Sequence, residues 1–150
     1  MTESAFAGGI PFIIAGILFA ADIFRKKIYI CLPPAGWLRY IVIVMVLWGL
    51  GIYTVAGWIS GHPYPGGPLP AAPCPSTITA IALLLSSIGT LEKDRVLFIL
   101  IFAMLIWWSF YAGIGASVIY GFYVDLTLFA SGLFGLAVLV KSLKKGKNEG

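Results

Sequence analysis

Long apolar runs separated by short polar breaks constrain this chain more than any other feature. A helix needs roughly 20 apolar residues to cross a bilayer core of about 30 Å. The runs at 5–24, 38–60 and 96–118 meet that length, and those at 76–91 and 126–142 approach it. Only 11% of the residues are charged, 60% are hydrophobic and the mean hydropathy is +0.99, whereas about a quarter of a soluble domain is charged. Strand-like alternation is missing, which argues against a transmembrane barrel. The expected fold is all-α, a polytopic membrane helix bundle with five transmembrane helices in residues 1–142, followed by a basic, disordered cytoplasmic tail at 143–150.

The distribution of charge orients the bundle. All ten basic residues fall in three breaks: Arg25, Lys26, Lys27 and Arg39 in one, Lys93 and Arg95 in the next, and Lys141, Lys144, Lys145 and Lys147 in the tail. Lys and Arg accumulate on the cytoplasmic side, so the reading is N-out and C-in. The net charge of +4 thus marks membrane flanks and lipid headgroups as partners, and no nucleic acid. Trp37 and Tyr40 then mark the inner interface and Trp58 the outer one, as aromatic belts do. Glu3 precedes the first run and Arg25-Lys26-Lys27 follow it, the reverse of a signal peptide. Asp22, one turn from the inner end of that run, is expected to snorkel or to pair with Arg25 or Lys26. Cys31 and Cys74 fall on opposite sides of the membrane, and no disulfide is expected between them.

The outer break from Gly61 to Pro75 holds the rarest reactive side chains. It contains the only histidine, His62, together with Tyr64 and Cys74, and six prolines between Pro63 and Pro75. So many fixed φ angles make a stiff loop that holds side chains at set separations. Ser76 or Thr77 suits the N-cap of the next helix, and a thiol at a helix N-terminus feels the positive end of the dipole. That helix, 76–91, is short for a span, so the loop is free to dip into the protein. Imidazole and thiolate together suit a soft metal such as copper or zinc, although a zinc site usually has four ligands. The structural alternative is a cap and turn with no ligand.

Small residues four apart, Ala112/Ala116, Gly113/Ser117 and Ser131/Gly135, let helices approach closely and are read as packing positions, with a weaker reading as an oligomer interface. Gly49-Leu50-Gly51 is a packing pair with no strand before it, and no P-loop, dinucleotide fingerprint or Ser-His-Asp set is assembled. Asp22 and Asp125 are the few candidates for an intramembrane charge.

Gly61-His62, Tyr64-Pro65 and Pro73-Cys74-Pro75-Ser76-Thr77 resemble the Gly-His-x-Tyr-Pro…Pro-Cys-Pro-Thr-Thr pattern of DUF6064, a family of uncharacterised prokaryotic membrane proteins. Trp107-Trp108, Gly113-x-Gly115-Ala116-Ser117, Val124-Asp125-Leu126 and Gly132-Leu133-Phe134-Gly135 are similar to its C-terminal part, and the resemblance covers residues 10–140. Family members carry further membrane segments before the equivalent of the first run, and Ser76 stands where they have Thr. The resemblance implies a multi-pass protein of a prokaryotic plasma membrane with a special outer loop, and no known activity. Two functional readings follow. One is a non-enzymatic transport-related or accessory subunit that self-associates or joins a membrane complex. The other is a thiol- or metal-dependent membrane protein using His62 and Cys74.

Overall fold

Pro73 sets the direction of the helix around which the rest is built. Its fixed φ and missing N–H suit a first helical position, and the helix that follows, α4 (Pro73–Ser86), presents buried residues on nearly every side, Ile78, Ile81, Ala82, Leu84 and Leu85 among them. The computed structural model describes residues 2–61 and 72–148. Around α4 stand α1 (Thr2–Arg25), α2 (Trp37–Leu47), α3 (Tyr53–Ile59), α5 (Arg95–Tyr120) and α6 (Leu126–Asn148), with no strand among the described residues. A π-helical turn, Trp48–Ile52, joins α2 to α3 in one rod, Trp37–Ile59. α4 packs on that rod and on α5 and α6, while α1 packs on α5, which also lies along α6.

Among the described residues, three helical stretches are long and apolar enough to cross a membrane: Trp37–Ile59, Arg95–Ile119 and Tyr123–Lys145. Their outward faces carry Val44, Leu50, Ile59, Val96, Trp107, Val118 and Leu133, all exposed. Surfaces so apolar are compatible with lipid as the surrounding solvent. The interior is close-packed: Phe98 and Phe102 stack with ring centroids 5.8 Å apart, and Ile101, Leu105 and Leu128 are fully buried.

Four details depart from the sequence expectations. α4 begins at Pro73 with Ala72 as N-cap, so neither Ser76 nor Thr77 caps it; Thr77 Oγ1 instead donates to the Pro73 carbonyl within the helix, 2.7 Å away. α4 stops at Ser86, and Ile88–Lys93 is a 3₁₀ turn, because Ser86, Ser87 and Thr90 hydroxyls donate to carbonyls of the last turn and of the turn itself and divert the helical ladder. Asp22 accepts the backbone N–H groups of Lys27 and Ile28, both at 3.1 Å, and closes the end of α1 where Lys26 takes a left-handed φ of 49°; Arg25 pairs with Asp94 at 2.7 Å. The tail expected to be disordered is helical through Asn148, with lysines in its last turns where the helix dipole favours cations.

Candidate functional site

Gly49 fixes how closely the Trp37–Ile59 rod meets the start of α4. A Cβ there would stand 2.3 Å from Thr79 Oγ1 and 2.6 Å from the Pro75 carbonyl, so only glycine fits. The π turn begins at the same place. An i→i+5 turn inserts one extra residue into the helix, a device common at functional sites, and it brings Trp48 and Tyr53 toward the same neighbour. Trp48 Nε1 donates to Thr127 Oγ1 at 2.9 Å, and the Tyr53 hydroxyl donates to the Asp125 carboxylate. Both acceptors stand at the beginning of α6, where a 3₁₀ turn, Tyr123–Asp125, turns the chain into the helix. Thr127 Oγ1 in turn donates to the Val124 carbonyl at 2.7 Å.

The third member of the cluster comes from α4. Cys74, in its first turn, has its side chain in interaction with both the Tyr53 hydroxyl and the Asp125 carboxylate. Tyr53 is fully buried and Asp125 is 2% exposed. The ring of Phe122 stands edge-on to Tyr53 at 6.2 Å and closes the cluster on the side of the α5–α6 turn. Beside it, Thr54 Oγ1 is buried without a hydrogen-bond partner among the described residues. A cleft of about 410 Å³ opens next to the cluster, with Trp48, Thr127, Ser60 and Tyr123 on its walls. One carboxylate, one phenol and one thiol thus converge from three separate elements. Burying a carboxylate is costly unless a donor meets it, and here the Tyr53 hydroxyl does so.

The sequence candidates fall into three groups. His62 and Tyr64 lie outside the described residues, while Cys74 is in the cluster. Ser76 and Thr77 continue the first turns of α4, with Ser76 half-buried and Thr77 buried. Of the small residues, Gly113 and Gly135 meet neighbouring helices within the protomer. A Cβ on Gly113 would stand 2.8 Å from Phe129, and one on Gly135 would stand 2.9 Å from Phe102 and 3.0 Å from Ile81. Ser117 is buried and donates to the Gly113 carbonyl at 2.7 Å, and Ser131 donates to that of Thr127 at 2.7 Å. Ala112 is buried and Ala116 half-buried. Sequence reasoning missed Tyr53, because one tyrosine inside an apolar run reads as a bulky core residue. The visible signal was Gly49-x-Gly51 just before it.

Cys31 is exposed, with Sγ 3.9 Å from the Ser86 carbonyl at the far end of α4. The two thiols therefore occupy opposite ends of one helix and cannot approach to disulfide distance. Among the described residues, no group of three or more His, Cys, Asp or Glu is placed to hold a metal ion.

No curated protein and no solved structure matches this chain. A family description does match, over residues 2–149, essentially the full length and including both Cys74 and Asp125. The chain that brings Tyr53, Cys74 and Asp125 together belongs to the family of unknown function DUF6064.

Proposed function

We propose that the protein is a five-span, N-out/C-in integral protein of a prokaryotic plasma membrane that acts as a non-enzymatic, transport-related or accessory subunit and self-associates, with the Tyr53–Cys74–Asp125 cluster as its working region. The carrying observation is Asp125, a carboxylate 2% exposed at the head of a membrane-length apolar helix, met by the Tyr53 hydroxyl and neighboured by Cys74. Ionisable groups at such positions are expensive and mark ion or substrate handling by default. Self-association needs a face other than Gly113 and Gly135, which meet helices of the same protomer. A groove of about 310 Å³ beside α4, lined by Ser76, Thr79, Ala80, Leu83, Phe19 and Leu50, supplies one. Ser76 and Ala80 are small, four residues apart and partly exposed, the spacing at which a second helix approaches closely.

Light scattering of the purified protein in mild detergent, joined to cross-linking in native membranes, tests the reading. The expected mass is a multiple of 16.1 kDa, reduced toward one copy by Ala80→Trp. A strict monomer with no cross-linked partner in the membrane sinks it.

A second reading is favoured by the chemistry of Cys74. A thiol beside a carboxylate and a phenol provides mixed soft and hard donors, and in sequence His62 follows immediately on Gly61, two residues after the end of α3. In this reading copper or zinc is held by Cys74 and His62, with a symmetric pair of chains reaching the usual four ligands. Elemental analysis of the wild type beside Cys74→Ala decides it: metal in the first and none in the second supports the site, and none in either removes it.

A further inference from the structure

At the end of the bundle that carries the basic residues, α6 presents a graded face. Phe134, Val138, Lys141 and Lys145 recur at intervals of three and four residues, so the stripe passes from apolar to cationic toward the helix end. Trp37 and Leu38 from the start of α2, with Ile88 from the 3₁₀ turn, form the facing wall, and the cleft between them measures about 550 Å³. That volume lies in the usual range for a ligand site. Trp37 sets its edge against Phe134, ring centroids 5.9 Å apart and planes at 82°, which fixes the apolar part of the wall. The polar part has a second source of positive potential. Gly36 offers no side chain to cap α2, and the first turn of α2 carries no acidic residue. The free N–H groups of a helix start and the dipole behind them attract anions.

We propose that this cleft is a specific binding site for an anionic phospholipid, whose phosphate sits between Lys141, Lys145 and the N-terminus of α2 while an acyl chain lies along Trp37, Ile88 and Phe134. Charge complementarity commits the occupant. The mouth is cationic and the walls are apolar, and the order of the two along α6 matches the order of headgroup and tail in a leaflet. Basic pockets between membrane helices hold anionic headgroups in this manner. The inference depends on the bundle lying in a membrane and is independent of the Tyr53–Cys74–Asp125 cluster, so failure of either leaves the other standing.

Native mass spectrometry of the full chain, released from detergent with added phosphatidylglycerol or phosphatidylcholine, tests it. Retention of phosphatidylglycerol over phosphatidylcholine is expected. Lys141→Gln with Lys145→Gln should lower that retention by about fivefold for each lysine removed, whereas Lys26→Gln with Lys27→Gln, an equal loss of charge away from the cleft, leaves it unchanged. Ala137→Trp, which fills the cleft and keeps every charge, should also lose the bound lipid. Four results overturn the proposal: equal retention of both lipids; equal loss in the two double-lysine variants; displacement by millimolar inorganic phosphate, which makes this a soluble-anion site; or a second copy of the chain cross-linked through Ala137→Cys in place of lipid.

Discussion

Tyr53 illustrates how a single hydroxyl can hold an otherwise costly group in place. Its bond to Asp125 joins residues 72 positions apart and supplies a donor to a carboxylate that has lost its water. Tyr53→Phe keeps the ring and its contact with Phe122 and removes only that donor, leaving the carboxylate short of a partner. The expected cost is about 1–3 kcal/mol, read as a lower unfolding temperature in detergent. Asp125→Asn in the Tyr53→Phe background should cost less than in the wild type, because the partners act as a unit; additive losses would mean that the two groups do not interact. Glycine positions give a second residue-scale prediction. Gly49→Ala forces a Cβ onto the Pro75 carbonyl, which is backbone and cannot turn aside, at a cost of about 1–3 kcal/mol. At Gly115 a Cβ would meet nothing within 4 Å, and alanine there should cause no loss. Cys74 and Asp125 were legible in the sequence as rare groups in polar breaks. Tyr53 was not, because its role comes from a partner that only packing supplies.

The elements themselves followed the hydrophobic pattern closely, and their ends did not. Each apolar run is helical, but the third ends five residues before its apolar stretch does. The hydroxyls of Ser86, Ser87 and Thr90 compete there for backbone carbonyls, a local effect that hydropathy ignores. The π turn within Trp48–Ile52 was equally hidden, since its register depends on the fit of Gly49 against α4. Asp94 shows how one residue can serve two elements: its carboxylate accepts from the Leu97 N–H at 3.1 Å as N-cap of α5 and pairs with Arg25 at the end of α1. The Arg25 side chain is 53% exposed, so the ion pair contributes little, about 0.2–1 kcal/mol, while an N-cap contributes about 0.5–2 kcal/mol. Asp94→Asn preserves the cap and should shift thermal stability only slightly. Asp94→Ala loses both and should shift it clearly more. Equal shifts would assign the stability to the ion pair and overturn this division.

At the scale of the whole molecule, the contacts at each end show that successive rods alternate in direction. Arg25 at the end of α1 meets Asp94 at the start of α5, and Cys31 on the connection after α1 meets Ser86 at the end of α4. At the opposite end, Cys74 of the first turn of α4 and Asp125 before α6 meet Tyr53. α4 is the one short member: 14 residues rise about 21 Å. The uncharged part of the 3₁₀ turn after it, Ile88 to Leu91, adds about 8 Å, and the two together approach a hydrocarbon core of about 30 Å. Cys31 on the connection after α1 touches the Ser86 carbonyl where helix gives way to 3₁₀ turn, and Leu91 of that turn is buried in the core. Five alternating rods put the N-terminal and C-terminal ends at opposite ends of the bundle, and in the proposed orientation the end bearing Arg25, Lys93 and Lys141, where the basic residues gather, is the cytoplasmic one. Reporters active on only one side of the membrane, fused separately to each terminus, should place the C-terminus in the cytoplasm and the N-terminus outside. Both termini on one side would mean that α4 with its 3₁₀ turn fails to cross, and the alternation of rods could not then describe the protein in a bilayer.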